Sequence, residues 1–120
     1  NQIKKGINGV KKTIEHIKSG HSIALMIDQR VSEGEKIKFF NSQALTTTLP
    51  AQLILKYDLK VVPIFIQRNK SKKFLMEIFK PIDFSKNKDK FFITNELNKV
   101  LENMIIKNPN QWIWTHNRWK

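Results

Sequence analysis

"IALMIDQRV", residues 23–31, is the stretch on which the fold reading turns: five apolar residues in a row, then Asp28, Gln29 and Arg30. A continuous apolar run this short, with no polar alternation, reads as a strand buried on both faces, as in a parallel sheet. The polar groups then stand at the carboxyl end of that strand, which is the edge where open α/β sheets bind ligands. A strand-end aspartate that accepts backbone N–H bonds and starts a turn accounts for Asp28 equally well.

On the N-terminal side, Ile3, Ile7, Val10, Ile14 and Ile17 recur at spacings of four and three and form one helical stripe, with Gly20 as the stop. Residues 29–45 have little periodicity and read as a loop. In "TTTLPAQLILKYDLK" (residues 46–60) the threonines offer caps and Pro50 sits in a first turn, so a helix over Leu49–Tyr57 is predicted. "VVPIFIQ" (61–67) reads as a second buried strand, with Pro63 early in it or beside a bulge. "FLMEIFK" (74–80) reads as a third strand, returning through the polar turn "RNKSKK". Ile93, Leu97, Val100, Leu101, Met104 and Ile105 mark a helix over Lys90–Lys107 that Pro109 ends. The tail, residues 110–120, carries all three tryptophans and is expected to dock on the body.

The order α-β-α-β-β-α implies an α/β fold: a small mixed sheet in which a right-handed parallel β-α-β crossover is joined by an antiparallel hairpin strand, with flanking helices. With 120 residues this is one domain. Cysteine is absent, which excludes disulfides and thiolate metal sites. No histidine or carboxylate cluster suggests a metal, and no cofactor motif is present. No apolar run approaches the roughly 18 residues that span a bilayer. Lys and Arg number 22 against 10 acidic residues, a net charge of +12. That field attracts nucleic acid, anionic lipid, phosphorylated substrates or acidic proteins.

The candidate site residues follow from the crossover. Asp28 and Gln29 form the edge, Arg30 offers a cation for phosphate or carboxylate, and Thr46, Thr47 and Thr48 present donors at the next helix N-terminus. Helix capping alone also explains the threonines. Phe39 and Phe40 line an apolar channel or belong to the core. Arg68 is a second cation at the end of the neighbouring strand, or a solvated hairpin residue. His116 is a phosphate ligand when protonated, or structural.

In order along the chain stand "DQ" (28–29), "FF" (39–40), "TTT" (46–48), "VVPIF" (61–65) and "NPNQWIWTHNRW" (108–119). This ordered set resembles the bacterial lipid A biosynthesis acyltransferases, the lauroyl and myristoyl transferases, over nearly the whole chain. Two positions depart from that pattern: Asn41 stands where Gly usually follows the paired phenylalanines, and Lys38 where Pro is common. The resemblance implies the second half of a glycerolphosphate-acyltransferase-like fold. It also implies transfer of an acyl group from an acyl carrier protein thioester to a hydroxyl of a lipid A precursor, at the cytoplasmic face of the bacterial inner membrane. Lys4, Lys5, Lys11, Lys12 and Lys18, off the isoleucine stripe, would meet the anionic leaflet. Trp112, Trp114 and Trp119 with Arg118 and Lys120 suit the same interface. Otherwise these lysines are a solvated face and the tryptophans are docked.

Such enzymes use a His-x-x-x-x-Asp/Glu pair as base and orienting acid. Here His21 lies five positions after His16, Met26 lies five after His21, and His116 is too near the end to have a partner. The catalytic pair is therefore expected upstream of Asn1, and this chain alone is expected to be inactive. Its opening in the middle of a helical pattern fits that expectation.

The rival readings are a basic nucleic-acid-binding module and a purely structural domain. The aromatics sit in apolar runs and the tail, not on an RNP-like strand, so no nucleic acid is expected as partner. A salt titration separates the classes. Binding to anionic vesicles without tight, salt-sensitive binding to duplex DNA is the expected result; the opposite pattern overturns it.

Overall fold

The computed structural model describes residues 2–4, 6–87 and 89–120, with the side chain of His116 excepted. Lys5 and the His116 side chain, both named above, lie outside the described residues. The element order is α1 (Ile7–Lys18), β1 (Glu35–Phe39), β2 (Ser42–Thr46), α2 (Leu49–Tyr57), β3 (Ile64–Arg68), β4 (Phe74–Ile78) and α3 (Lys90–Lys107). Two short 3-10 turns follow, Pro109–Gln111 and Trp114–His116.

The described residues form a small α/β domain of three α-helices and two antiparallel hairpins, β1–β2 and β3–β4. Two expectations need correction. The apolar run at residues 23–27 pairs with no strand among the described residues, so the parallel crossover is not formed here. A buried strand needs neighbours for its backbone groups and for both faces. In this chain Leu25 and Met26 remain exposed, and only Ile27 packs against a core cluster. The expected loop over residues 29–45 contains β1 and most of β2. Its alternation was hidden by charges: in Glu35–Phe39 only Ile37 and Phe39 face inward, the pattern of a strand with one wet face.

The β1–β2 turn explains the departure at residue 41. Phe39 faces Ser42 across a two-residue loop, and both loop residues have positive φ, 47° at Phe40 and 62° at Asn41. That is the primed geometry that hairpin twist favours, and Asn is the side chain that tolerates it best after Gly. Gly34 leads into the hairpin where a Cβ would lie 2.8 Å from both the Thr46 nitrogen and the Val31 carbonyl. Only glycine allows that approach.

In the second hairpin, Val61 bridges Ile82 while Ile64 faces Ile78, so the β4 side carries one residue more between those pairs. The bulge sits beside Pro63, which cannot donate to the ladder. Five side chains on one face of this hairpin, Ile64, Ile66, Phe74, Met76 and Ile78, stay exposed.

Helix α3 is the spine. Asp89 caps it, accepting from the amides of Phe91 and Phe92 at 2.9 and 3.2 Å. Its N-terminal half places Ile93 and Leu97 in a cluster with Ala51 and Ile54 of α2 and with Phe84. Its C-terminal half places Leu101 and Ile105 against Phe39, Ala44, Trp112 and Trp119. Helix α1 differs: it buries Gly9 and Thr13, while its isoleucine stripe stays partly open and Ile7 is 80% exposed.

Asn41→Val tests the turn. A β-branched residue at positive φ is expected to lower stability by about 1–2 kcal/mol in urea unfolding, whereas Asn41→Gly should be tolerated.

Candidate functional site

The tail ends in a side chain that composition alone would place in water. Arg118 is fully buried, at 0% exposure. Its guanidinium lies over the Phe39 ring, 4.1 Å from the centroid. Nη2–H donates to Thr46 Oγ1 at 3.0 Å and to Asn98 Oδ1 at 3.4 Å. Its carbonyl accepts from the Leu45 amide at 2.9 Å, which fastens the tail to β2. Burial pulls this guanidinium down from its ordinary pKa, and the carboxylates of Asp28 and Glu102 oppose that shift. A buried arginine holds its charge only when flat π surface, acceptors and nearby negative charge replace water. All three are present.

Around Arg118 the tail forms an aromatic lid on the first hairpin. Trp119 stacks on Phe39 with centroids 5.6 Å apart, and its Nε1–H donates to the Phe39 carbonyl at 3.2 Å. Trp112 meets Phe39 edge-on at 5.9 Å. Asn98 Nδ2 donates to the Lys38 carbonyl at 2.9 Å, so α3 grips β1 as well as Arg118. The Phe40 amide donates to Glu102 Oε1 at 2.9 Å.

Several of the expected site residues converge here. Asp28 is half-buried at a bend, within the electrostatic reach of Arg118. Gln29 is half-buried beside it. Arg30 Nε–H donates to the carbonyl of Lys120 at 2.8 Å and its Nη1 reaches Ser32 Oγ at 3.5 Å. Phe39 is wholly buried, the center of its cluster, while Phe40 is partly buried and packs on Phe39 and Trp114. Thr46 accepts from Arg118 and donates to the Ala44 carbonyl at 3.1 Å.

The other two threonines serve the start of α2. Thr47 Oγ1 accepts from the Leu49 amide at 3.2 Å, and Thr48 Oγ1 from Gln52 Nε2 at 2.9 Å. Arg68 stands apart, at the far end of β3, 4.9 Å from the Phe74 ring centroid. There Gln111 acts as a strand surrogate: its side-chain amide accepts from the Arg68 amide and donates to the Arg68 carbonyl, both at 2.7 Å.

Glu102, Asn98 and Gln111 were not singled out in the sequence, and Arg118 was read as an interface cation. The available signal was positional: Asn98 and Glu102 lie four apart on α3, alternating with the apolar stripe. Among the described residues no three His, Asp or Glu side chains gather to hold a metal ion. At the surface Arg30, Thr115, Asn117 and Lys120 line a shallow depression of about 430 Å³. Its two cations suit an anionic group.

Glu102→Leu should lower stability by about 1–3 kcal/mol, because the Phe40 amide loses its acceptor and Arg118 loses one of two facing carboxylates. Glu102→Gln, which keeps an acceptor, should cost less. Equal stability of all three forms in urea unfolding would contradict this arrangement.

No curated protein matches the chain. Among protein families, the one described as bacterial lipid A biosynthesis acyltransferase matches residues 2–120. That match spans the apolar run, both hairpins and the tail that closes on them. The chain belongs to the bacterial lipid A biosynthesis acyltransferase family.

Proposed function

We propose that these 120 residues are the C-terminal portion of an acyltransferase domain that moves a fatty acyl chain from an acyl carrier protein thioester to a hydroxyl of a lipid A precursor. The observation that carries this reading is the convergence, on one cluster, of residues from the separate sequence blocks: Asp28 and Arg30, the paired phenylalanines, Thr46, and Arg118 with Trp119. Family membership supplies the reaction class.

In this reading the base that takes the hydroxyl proton, and the acid that orients it, lie outside these residues, because no histidine here is followed five positions later by Asp or Glu. General-base catalysis and stabilisation of the developing oxyanion supply the rate enhancement in acyl transfer of this kind. This portion contributes the anion-binding wall: Asp28 and Gln29 at the edge, with Arg30 and Lys120 facing the acceptor's phosphate. Phe40 and Trp114, partly exposed, offer apolar surface to the acyl chain.

Placement at the cytoplasmic face of the inner membrane suits the charge of +12, at about 1 kcal/mol per basic residue near an anionic surface. Among the described residues no helix is long and apolar enough to cross a membrane, so contact through this portion would be peripheral.

In the complete enzyme, Asp28→Ala should reduce acyl transfer at least about tenfold, the order expected for loss of one positioned polar group, while its thermal midpoint stays within a few degrees of the parent. Unchanged turnover would remove Asp28 from the site.

A further inference from the structure

The second hairpin has one face that is engaged and one that is open. On the engaged face Glu77 accepts from Lys107 Nζ at 3.2 Å, and Gln67 Oε1 accepts from Asn108 Nδ2 at 3.5 Å, so the end of α3 holds it. Gln111 clamps the Arg68 backbone at the turn end. The register sets Ile64 opposite Ile78, Ile66 opposite Met76 and Arg68 opposite Phe74. Side chains alternate along a strand, so all six share the other face. Its five apolar side chains are 49% to 68% exposed, and none of them belongs to either core cluster. A contiguous apolar patch rimmed by polar groups marks a contact site.

The charges around that patch have one sign. Arg68, Lys70, Lys72 and Lys73 place four cations within six residues at the turn, and Lys80 follows Ile78 at the opposite end. The four lysines are exposed. No acid lies between Arg68 and Met76, and Glu77 is turned to the engaged face, where it meets Lys107. The Arg68 guanidinium lies 4.9 Å from the Phe74 ring centroid. Beside it is a shallow depression of about 450 Å³ lined by Ile66, Arg68, Asn69, Phe74 and Gln111. A cation against apolar walls matches a lipid phosphate and the start of its hydrocarbon.

We infer that the open face of β3–β4 is where these residues lie on an anionic lipid surface, the five apolar side chains toward hydrocarbon and Arg68 with the turn lysines at the phosphates. Cations gathered at the ends of an apolar sheet face suit a lipid layer, where charge and hydrocarbon are separated by depth. The contact is thereby placed on the second hairpin instead of on the tail, where Trp112 and Trp119 are already packed against Phe39. This inference rests on the proposed placement at an anionic membrane face.

The test uses the complete enzyme on vesicles of phosphatidylglycerol and phosphatidylethanolamine. Residues 1–120 contain no cysteine. With any cysteine elsewhere replaced by serine, Met76→Cys carries a fluorescent label on the open face, and Gln43→Cys, exposed on the first hairpin, carries it away from that face. Nitroxide-bearing lipid should quench the Met76 label and leave the Gln43 label nearly unchanged. Equal quenching of the two, or an unquenched Met76 label on vesicle-bound enzyme, would overturn the inference and leave the membrane placement standing. Absence of vesicle binding would remove both. A Met76 label shielded by added acyl carrier protein and not by lipid would give the face to a protein and overturn the inference as well.

A second measurement separates this face from net charge. Lys70→Gln and Lys11→Gln remove the same charge, one at the hairpin turn and one on α1. Lys70→Gln should weaken binding to these vesicles about fivefold, the factor one basic residue at an anionic surface supplies. Lys11→Gln should weaken it less than about twofold, since charges more than a Debye length from the lipid are screened. Equal losses would contradict the assignment.

Discussion

A guanidinium held out of water between an aromatic ring and two polar acceptors organises this molecule. Arg118 belongs to the tail, yet its partners come from β1, β2 and α3: Phe39, Thr46 and Asn98. A cation in an apolar setting is destabilising on its own, so each partner is needed, and each comes from a different part of the chain. The tail cannot dock unless the first hairpin has formed and α3 lies across it. The need for compensation thus acts as a specificity device and selects one arrangement of three elements.

The hydrophobic side of the fold is divided. Helix α3 contributes to two clusters along its length, one with α2 and the start of the second hairpin, one with the first hairpin and the tail. Asn98, buried in the middle of α3, reaches β1 with its amide and Arg118 with its carbonyl oxygen. The join between the two clusters is thus polar and directional, while the clusters themselves are apolar and tolerant. On this frame Arg30, Phe40 and Thr46 are each tied to the tail, to α3 or to Arg118, which is how residues from separate sequence blocks come together.

Much of this was legible in the sequence, for physical reasons that differ by element. Helix α2 was readable from its threonine caps and Pro50 in the first turn, and α3 from its apolar period and its stop at Pro109, all of them local signals. The β3–β4 hairpin was readable because its two apolar runs flank a polar turn, and the bulge beside Pro63 follows from proline chemistry. The first hairpin was missed because its inward residues alternate with charges over only five positions and its turn uses Phe40 and Asn41 instead of a Gly-containing pair. The run at residues 23–27 has strand composition but no strand partner among the described residues, and pairing is not a local property. In the candidate site, Asp28 and Arg30 were marked by their place after an apolar run. Arg118 was marked only as a cation, since nothing local says that a terminal arginine will be buried. Glu102 and Gln111 act through backbone amides of distant residues, for which sequence carries no local signal.

The central claim is that the tail closes on the first hairpin through Arg118. Amide hydrogen exchange measured with and without residues 117–120 tests it most directly. Slow exchange is expected at Leu45, whose amide donates to the Arg118 carbonyl, and loss of that protection when the four residues are removed, with Leu53, Ile54 and Ile93 little changed. Protection at Leu45 that survives removal of residues 117–120 would contradict tail closure.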